Sequence, residues 1–263
     1  MSRFETRLYV VAMLTVAGIG TAYAASAATP ADGSASFFDG FDSLSSARWY
    51  VSDGWANGPH QNCAWSKNEI SASGGFLNVG FSKNPGADSR LYTCGELQTK
   101  INYGYGTYEA RIKTPAGSGL NAAFFTYVAP PKAPAHDEID FEILLKDTSK
   151  VQTGGFSNNK GITDSTPTLP HPSDTDFINY AFVWAPGSLS YYADGKLLYS
   201  LPDPKQVQTL PQRIYFSLWG TDTLTDWMGP FTDPGTIKMQ VDWVAYTAPG
   251  EKCLFPQSIT CSQ

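Results

Sequence analysis

Basic charge is scarce in this chain: 18 Lys and Arg stand against 24 Asp and Glu, for a formal net charge of −6. That balance leaves no cationic footprint for a phosphate backbone and makes nucleic acids and anionic membrane surfaces poor partners. Charge of either sign is sparse, at 16% of residues, while 42% are apolar and 14% aromatic. A disordered chain shows the opposite bias. No helical period is sustained over three turns, and the 24 Gly and 18 Pro exceed what a helical bundle tolerates. The fold is therefore expected to be all-β, built from many short strands. With only four cysteines, no C-x-x-C pair and three His, a zinc site is a poor reading.

Long apolar runs are also missing, apart from Leu8 to Ile19. Arg3 and Arg7 precede it and Ala22-Tyr23-Ala24-Ala25 follows it, the arrangement of a secretory signal. The run is shorter than the roughly 18 residues needed to span a bilayer. Cleavage near Ala24 is expected, giving a signal peptide at 1–24, a flexible N-terminus at 25–36 and an exported product, extracellular or periplasmic, with no membrane attachment. No later segment reaches membrane-spanning length.

Export implies an oxidising environment, in which four cysteines favour disulfides. Three pairings are possible. Cys253 and Cys261 stand together in the last residues and would close a small loop, which leaves Cys63 with Cys94 across a longer one, worth roughly 3 to 4 kcal/mol in chain-entropy models.

From Phe37 onward, strand-like segments alternate with turn chemistry: 74–79, 106–113, 180–184 and 189–196. In the last, Asp194-Gly195 sits between two alternating pieces, a hairpin signal because both residues tolerate positive φ. The loops Val128 to Ala135 and Asp164 to Asp174 are too long for tight hairpins and suit the borders of a cleft. Neither a composition shift nor a repeat divides the body. One β-sandwich domain over 37–248 is the reading, followed by a tail at 249–263.

Chemistry concentrates in His136-Asp137-Glu138-Ile139-Asp140-Phe141-Glu142-Ile143, which places four carboxylates within six residues of an acid-poor chain. On a strand, Glu138, Asp140 and Glu142 share one face while Ile139, Phe141 and Ile143 share the other. An ordinary solvated face would interleave Lys or Arg, because like charges at successive positions repel. None occurs before Lys146. Crowded carboxylates raise one another's pKa, so one can remain a proton donor beside an ionised neighbour, as glycosidic bond cleavage requires. A step of four residues along a strand separates Cα atoms by roughly 13 Å, and leaning side chains leave both the retaining and inverting carboxyl separations reachable. A calcium site or a plain acidic strand is the competing reading.

Glu138-Ile139-Asp140-Phe141-Glu142 resembles the active-site strand of glycoside hydrolase family 16, in the uninterrupted form of licheninases and plant xyloglucan transglycosylases. Further pieces match licheninases in the same order: Phe37-Phe38-Asp39-Gly40-Phe41, Asn57-Gly58, Asn62-Cys63-Ala64-Trp65, Cys94-Gly95-Glu96, Tyr103-Gly104-Tyr105-Gly106, Phe124-Phe125-Thr126-Tyr127, the run from Lys146 to Gln152, Leu218-Trp219 and Asp226-Trp227. The resemblance implies a concanavalin A-like jelly-roll sandwich with a glycan-binding cleft, retention of anomeric configuration and a polysaccharide substrate. By the same resemblance Glu138 is the nucleophile, Glu142 the acid/base and Asp140 the assisting residue. It also implies cleft residues Trp55, Asn57, Glu96, Gln152, Trp219 and Trp227, whose indoles, amides and carboxylate suit the apolar faces and hydroxyls of sugars. Trp49, Trp184 and Trp243 are assigned to the core. No cofactor is implied for catalysis, but a structural calcium is, held by the carbonyls of Gly40 and Gly75 and the carboxylate of Asp242. A monomer is expected.

Three positions depart from the licheninase pattern. His136 replaces a Trp and is read as a strand-entry residue that could also meet a modified or acidic sugar. Gln98 replaces an Arg, and Ser217 replaces an Asn. His60 and His171 carry no motif. With its extra cysteine-bearing tail, the chain resembles the rhizobial endoglycanases that trim succinoglycan, an acidic exopolysaccharide with mixed β-1,3 and β-1,4 links. The expected activity is a secreted endo-β-1,3-1,4-glucanase acting on β-glucan or such an exopolysaccharide. The alternatives are a transglycosylase, whose usual glycosylation sequon after the strand is missing from this chain, and a non-catalytic lectin on the same sandwich.

Overall fold

The computed structural model describes residues 35–85 and 89–261. The signal-like segment and most of the expected flexible N-terminus lie outside the described residues. The first half contributes strands β1 (Phe37–Asp39), β2 (Trp49–Val51), β3 (Cys63–Trp65), β4 (Ile70–Ser73), β5 (Phe76–Ser82), β6 (Tyr92–Thr99), β7 (Gly106–Lys113) and β8 (Leu120–Val128). The second contributes β9 (Asp137–Leu144), β10 (Gln152–Ser157), β11 (Lys160–Gly161), β12 (Ile178–Ala185), β13 (Ser188–Ala193), β14 (Lys196–Ser200), β15 (Arg213–Gly220) and β16 (Ile237–Thr247). A single α-helical turn, α1 (Thr225–Met228), lies between the last two strands.

Neighbouring strands form one ribbon in the order β11-β10-β9-β8-β15-β6-β5-β16-β7-β12-β13-β14. Pairing is antiparallel except where β3 runs parallel to β6. The ribbon becomes a jelly-roll sandwich at β6. Cys94 there pairs with Phe81 of β5, whereas Gly95 to Gln98 pair with β15. One strand thus serves both layers, and every residue of β6 is buried. The layer β11-β10-β9-β8-β15-β6 carries the carboxylate strand, and β5-β16-β7-β12-β13-β14 backs it.

Between the layers the alternation of each strand delivers aromatic rings. Phe124 of β8 lies 6.2 Å from Phe141 of β9 and 5.2 Å from Phe216 of β15, with rings nearly parallel. Phe182 and Tyr191 of the opposite layer meet Phe124 and Phe141 at 5.7 and 5.2 Å. Phe141 is fully buried. Truncating such a ring to Ala typically costs about 3 to 5 kcal/mol, so the backbone of β9 is held by its inward face. The Asp194-Gly195 hairpin forms as expected, with φ of 47° and 74°, between β13 and β14.

Trp49 and Trp184 lie in the core, as the sequence reading has them. Trp243 does not, and the reason is a bulge. The register of β16 against β7 shifts between Val241 and Trp243, so one extra residue turns Trp243 outward while Val241 and Val244 stay fully buried. Trp243 is half-buried instead beneath Phe38, 5.8 Å away, and Phe255 of the tail, 4.5 Å away. The tail is pinned there as well. Ser258 Oγ and the Ile259 N–H donate to the buried Glu109 carboxylate at 2.5 and 2.9 Å. Cys253 is bonded to Cys261, and Cys63 to Cys94.

Candidate active site

β9 alternates as its sequence demands: Ile139, Phe141 and Ile143 are fully buried against the second layer, and Glu138, Asp140 and Glu142 occupy the opposite face. Asp137, the fourth carboxylate of the cluster, points with the core side. Its oxygens accept the backbone N–H groups of Asn158, Thr209 and Leu210 at 2.6, 2.9 and 3.0 Å. It therefore clamps two loops beside β9 and takes no part in the acidic face. Register then places small residues beside the remaining acids. Ala123 of β8 is opposite Glu142, and Gly154 of β10 is opposite Asp140. Gly155 is required in the same place, since at φ 132° an added Cβ would fall 2.1 Å from the carbonyl oxygen of Glu138.

The acidic face opens into a cleft of about 770 Å3. Alternate residues of four adjacent strands line it: Glu96 and Gln98 of β6, Arg213, Tyr215, Ser217 and Trp219 of β15, Ala123, Phe125 and Tyr127 of β8, and Glu138 and Glu142 of β9. Trp55 and Asn57 close its far wall, with Trp55 40% exposed and set edge-on against the buried Trp65 at 6.3 Å. The parallel β3–β6 pairing and the Cys63–Cys94 bridge hold the following segment against β6. On the other side of the carboxylates, Gln152 and Trp227 line an adjoining hollow of about 290 Å3 with Glu138, Asp140 and Glu142. Trp227 Nε1 donates to Gln152 Oε1 at 2.6 Å, and Trp227 stands 6.1 Å from Trp219. Both long loops reach these borders, the first through Val128 to Lys132 and the second through Asp164 and Thr166. The six cleft residues inferred from sequence thus meet, with the three acids of β9, around one trough.

Electrostatics separates the acids. Burial, with a smaller push from Glu138, raises the Glu142 carboxyl to about 8, against the opposing effect of a hydrogen bond donated by Asn121 Nδ2. Asp140 is held well above the usual carboxylate range by burial and then by Glu138 and Glu142. Glu96 is pushed by burial to about 7, although Ser52 Oγ donates to it at 2.5 Å. Glu138 instead has a partner, His136, whose Nε2 lies 2.8 Å from Glu138 Oε2. The imidazole is fixed by rings on two sides, stacked on Phe156 at 4.4 Å and tilted against Tyr127 at 5.0 Å. One carboxyl protonated and another held by a ring nitrogen is the division that acid/base chemistry at a glycosidic bond needs.

Sequence reading missed Asn121, Ser52 and the contact of His136 with Glu138. Asn121 left a legible sign, as an amide within the apolar run from Leu120 to Phe125; the other two depend on loop placement. His60, which carried no motif, backs Trp219 edge-on at 5.8 Å. His171 lies away from the cleft, 3.8 Å from Asp194.

The family model for glycosyl hydrolases family 16 matches residues 57–245, which include the whole acidic strand and nearly all of the cleft. The chain belongs to glycosyl hydrolase family 16. An endo-1,3-1,4-beta-glycanase, ExoK, of Rhizobium meliloti is 48% identical to this family 16 chain over 226 residues, covering 86% of the chain and 84% of the relative. A beta-glucanase of Bacillus subtilis is 34% identical and covers 90% of the chain and 97% of its own length. Among solved structures, a lichenase derived from a mouse hindgut metagenome superposes with a TM-score of 0.78 at 33% identity, over 81% of this chain and 99% of that one. This family 16 protein is accordingly a glycoside hydrolase, and the lectin alternative falls away.

Proposed function

We propose that this enzyme is a retaining endo-β-1,3-1,4-glucanase that cuts β-glucan or a related bacterial exopolysaccharide such as succinoglycan after export from the cell. The observation that carries the reading is the pairing on β9: Glu142, raised to about 8 by burial, beside Glu138, which is hydrogen-bonded to His136, on the floor of an open trough. The trough is continuous past the carboxylates on both sides, which suits a polymer cut internally. The endo-1,3-1,4-beta-glycanase of Rhizobium meliloti and the beta-1,3-1,4-glucanase from the mouse hindgut metagenome favour a mixed-linkage substrate. Both closed disulfides suit an oxidising compartment.

In the first step Glu142, protonated at neutral pH, gives its proton to the glycosidic oxygen as the bond to C1 breaks. A Glu138 carboxylate oxygen attacks C1 from the opposite face and forms a glycosyl ester. In the second step the Glu142 carboxylate takes a proton from water, whose oxygen attacks C1 and displaces Glu138. Two inversions give net retention. His136 orients the nucleophile, since a ring nitrogen at 2.8 Å fixes one oxygen of Glu138 and leaves the other to face C1. Asp140 lies between the two glutamates, and its high pKa lets it serve as a proton-bearing neighbour that limits charge build-up on the strand. Trp55, Trp219 and Trp227 offer faces for sugar rings, and Asn57, Glu96 and Gln152 offer polar groups to their hydroxyls.

A structural calcium belongs to the same proposal. Asp39 pairs with Val244 and Leu77 with Val241, so Gly40, one residue past Asp39, and Gly75, two before Leu77, follow on from the pairs that flank Asp242 on β16. Two carbonyls and a carboxylate are hard oxygen donors that fit calcium. Asp242 Oδ2 also accepts from Arg111 Nη1 at 2.6 Å. Such an ion would tie β1, β5 and β16 together in the layer behind the cleft, away from the reacting atoms.

Reducing-end release should be measured on lichenan, laminarin, xyloglucan and succinoglycan, with proton NMR of the first anomer formed. Release from lichenan or succinoglycan with retained β-configuration is expected. Cleavage of laminarin or xyloglucan alone, or an inverted product, would remove the proposal.

A further inference from the structure

Past Tyr127 and Tyr215 the cleft continues into a second hollow of about 500 Å3. Tyr127, Lys132, Arg213 and Tyr215 line both spaces, so a bound chain can pass from one to the other. The added walls are Lys100, Ile101, Asn102 and the Pro130-Pro131 turn. Three cations face this hollow, and none of its lining residues is acidic.

That concentration is out of character for a chain of net charge −6. Elsewhere several basic groups lie against acids, as Arg48 does with Asp39, Lys67 with Asp53 and Arg111 with Asp242, and lysines without a carboxylate partner among the described residues, such as Lys160 and Lys238, stand apart on the exposed surface rather than around one hollow. No carboxylate lies within ion-pair distance of Lys100, Lys132 or Arg213 among the described residues. The half-buried Arg213 donates from Nη1 only to a neutral amide, Gln98 Oε1, at 2.8 Å. Lys100 Nζ donates to the Ser46 carbonyl at 2.6 Å, and Lys132 stands exposed on its loop. Uncompensated cations around a concave space raise the local concentration of anions. A guanidinium and two ammonium groups match a carboxylate, and the flanking tyrosine rings match the sugar that bears it. A neutral glucan offers nothing that would require this charge.

We propose that the Lys100–Lys132–Arg213 end of the cleft is a subsite for a sugar unit bearing a carboxylate substituent. It rests on the endo-glycanase reading above and narrows its substrate class to anionic, substituted β-glucans.

The test uses one mixed-linkage glucan in two forms, native and with a fraction of its primary hydroxyls oxidised to carboxylates. The quantity read is the ratio of kcat/KM for the oxidised form to that for the native form. In the wild-type enzyme this ratio should exceed one at low ionic strength and collapse near 1 M salt, where the screening length is about 3 Å. Lys132→Glu should lower the low-salt ratio by about tenfold. Lys238→Glu, an equal change of charge at an exposed position of β16 in the other layer, should leave it in place. Equal ratios in wild type and Lys132→Glu, or the same fall in both variants, would overturn the subsite. Calorimetry of charged and neutral oligosaccharides on Glu138→Gln reads the subsite without turnover. Tighter binding of the charged one supports it, and equal binding overturns it. Failure of the wild type to cut native glucan is a separate outcome, which removes the endo-glucanase reading while the calorimetry still decides the subsite.

Discussion

Asp53 and Glu142 carry the same functional group in opposite surroundings. Asp53 sits at the protein surface, accepts from the Lys67 backbone N–H at 3.1 Å and its ammonium at 3.0 Å, and is held below the usual carboxylate range. Glu142 lies on the cleft floor beside two other acids, without a cation within ion-pair distance among the described residues, and burial drives it up to about 8. Surface acids were placed where their charge is solvated or answered. The cleft acids were placed where charge is costly, and that cost keeps the Glu142 carboxyl protonated at neutral pH, as its proposed acid role requires. The contrast marks where the chain gives up stability for chemistry.

The strongest way to break this contrast is to remove the two groups proposed to react. Glu138→Gln should lower kcat on lichenan by more than about 1,000-fold with unchanged circular dichroism. Glu142→Gln should cost about 10² to 10⁴ and spare substrates with activated leaving groups. Substantial residual hydrolysis by Glu138→Gln would take the nucleophile away from that position.

Stability offers a second test, with a sign fixed by linkage. A carboxyl whose folded pKa is raised binds its proton more tightly when folded, so its contribution is complete below the unfolded value near 4.5 and is lost as pH rises through about 8. Glu142→Gln should therefore raise Tm at pH 8 by several degrees and by little at pH 4. Asp53 runs the other way, since its lowered pKa supports the fold above the unfolded value and loses that support as the solution is acidified.

Smaller effects sharpen the comparison. Asn121 donates to Glu142 and so opposes the rise in its pKa. Asn121→Ala should move the alkaline limb of kcat/KM upward by less than about one pH unit, and a downward move would show that this hydrogen bond does not hold the Glu142 pKa down. Asp53→Asn should be the least consequential, because Lys67 and Asp53 are 69% and 43% exposed and such pairs contribute at most about 1 kcal/mol. A larger loss in urea unfolding would show that the surface acids are not as loosely held as their exposure implies.

Much of the site was legible because a strand has a period of two. Once 137–143 is read as a strand, Glu138, Asp140 and Glu142 must share a face, and Phe141 must oppose them. Asp137 was legible by the same rule as the acid that faces inward. Trp243 shows where the rule fails: one inserted residue at Asp242 reverses every later side chain, and nothing local announces a bulge. The partners of the acids were hidden for another reason. Asn121 reaches Glu142 across a β8–β9 register, and Ser52 meets Glu96 from a loop 44 residues away.

Composition and alternation by themselves determined the all-β class, the inward aromatic layer and the acidic face of β9, since each follows from local geometry and the cost of burying charge. The fold of the ribbon at β6 decided the rest. It brought Trp55, Glu96, Trp219 and Trp227 around that face, set His136 against Glu138, and gathered Lys100, Lys132 and Arg213 at one end of the trough. Those residues come from separate segments, and only long-range strand pairing and loop packing place them within reach of a single glycan chain.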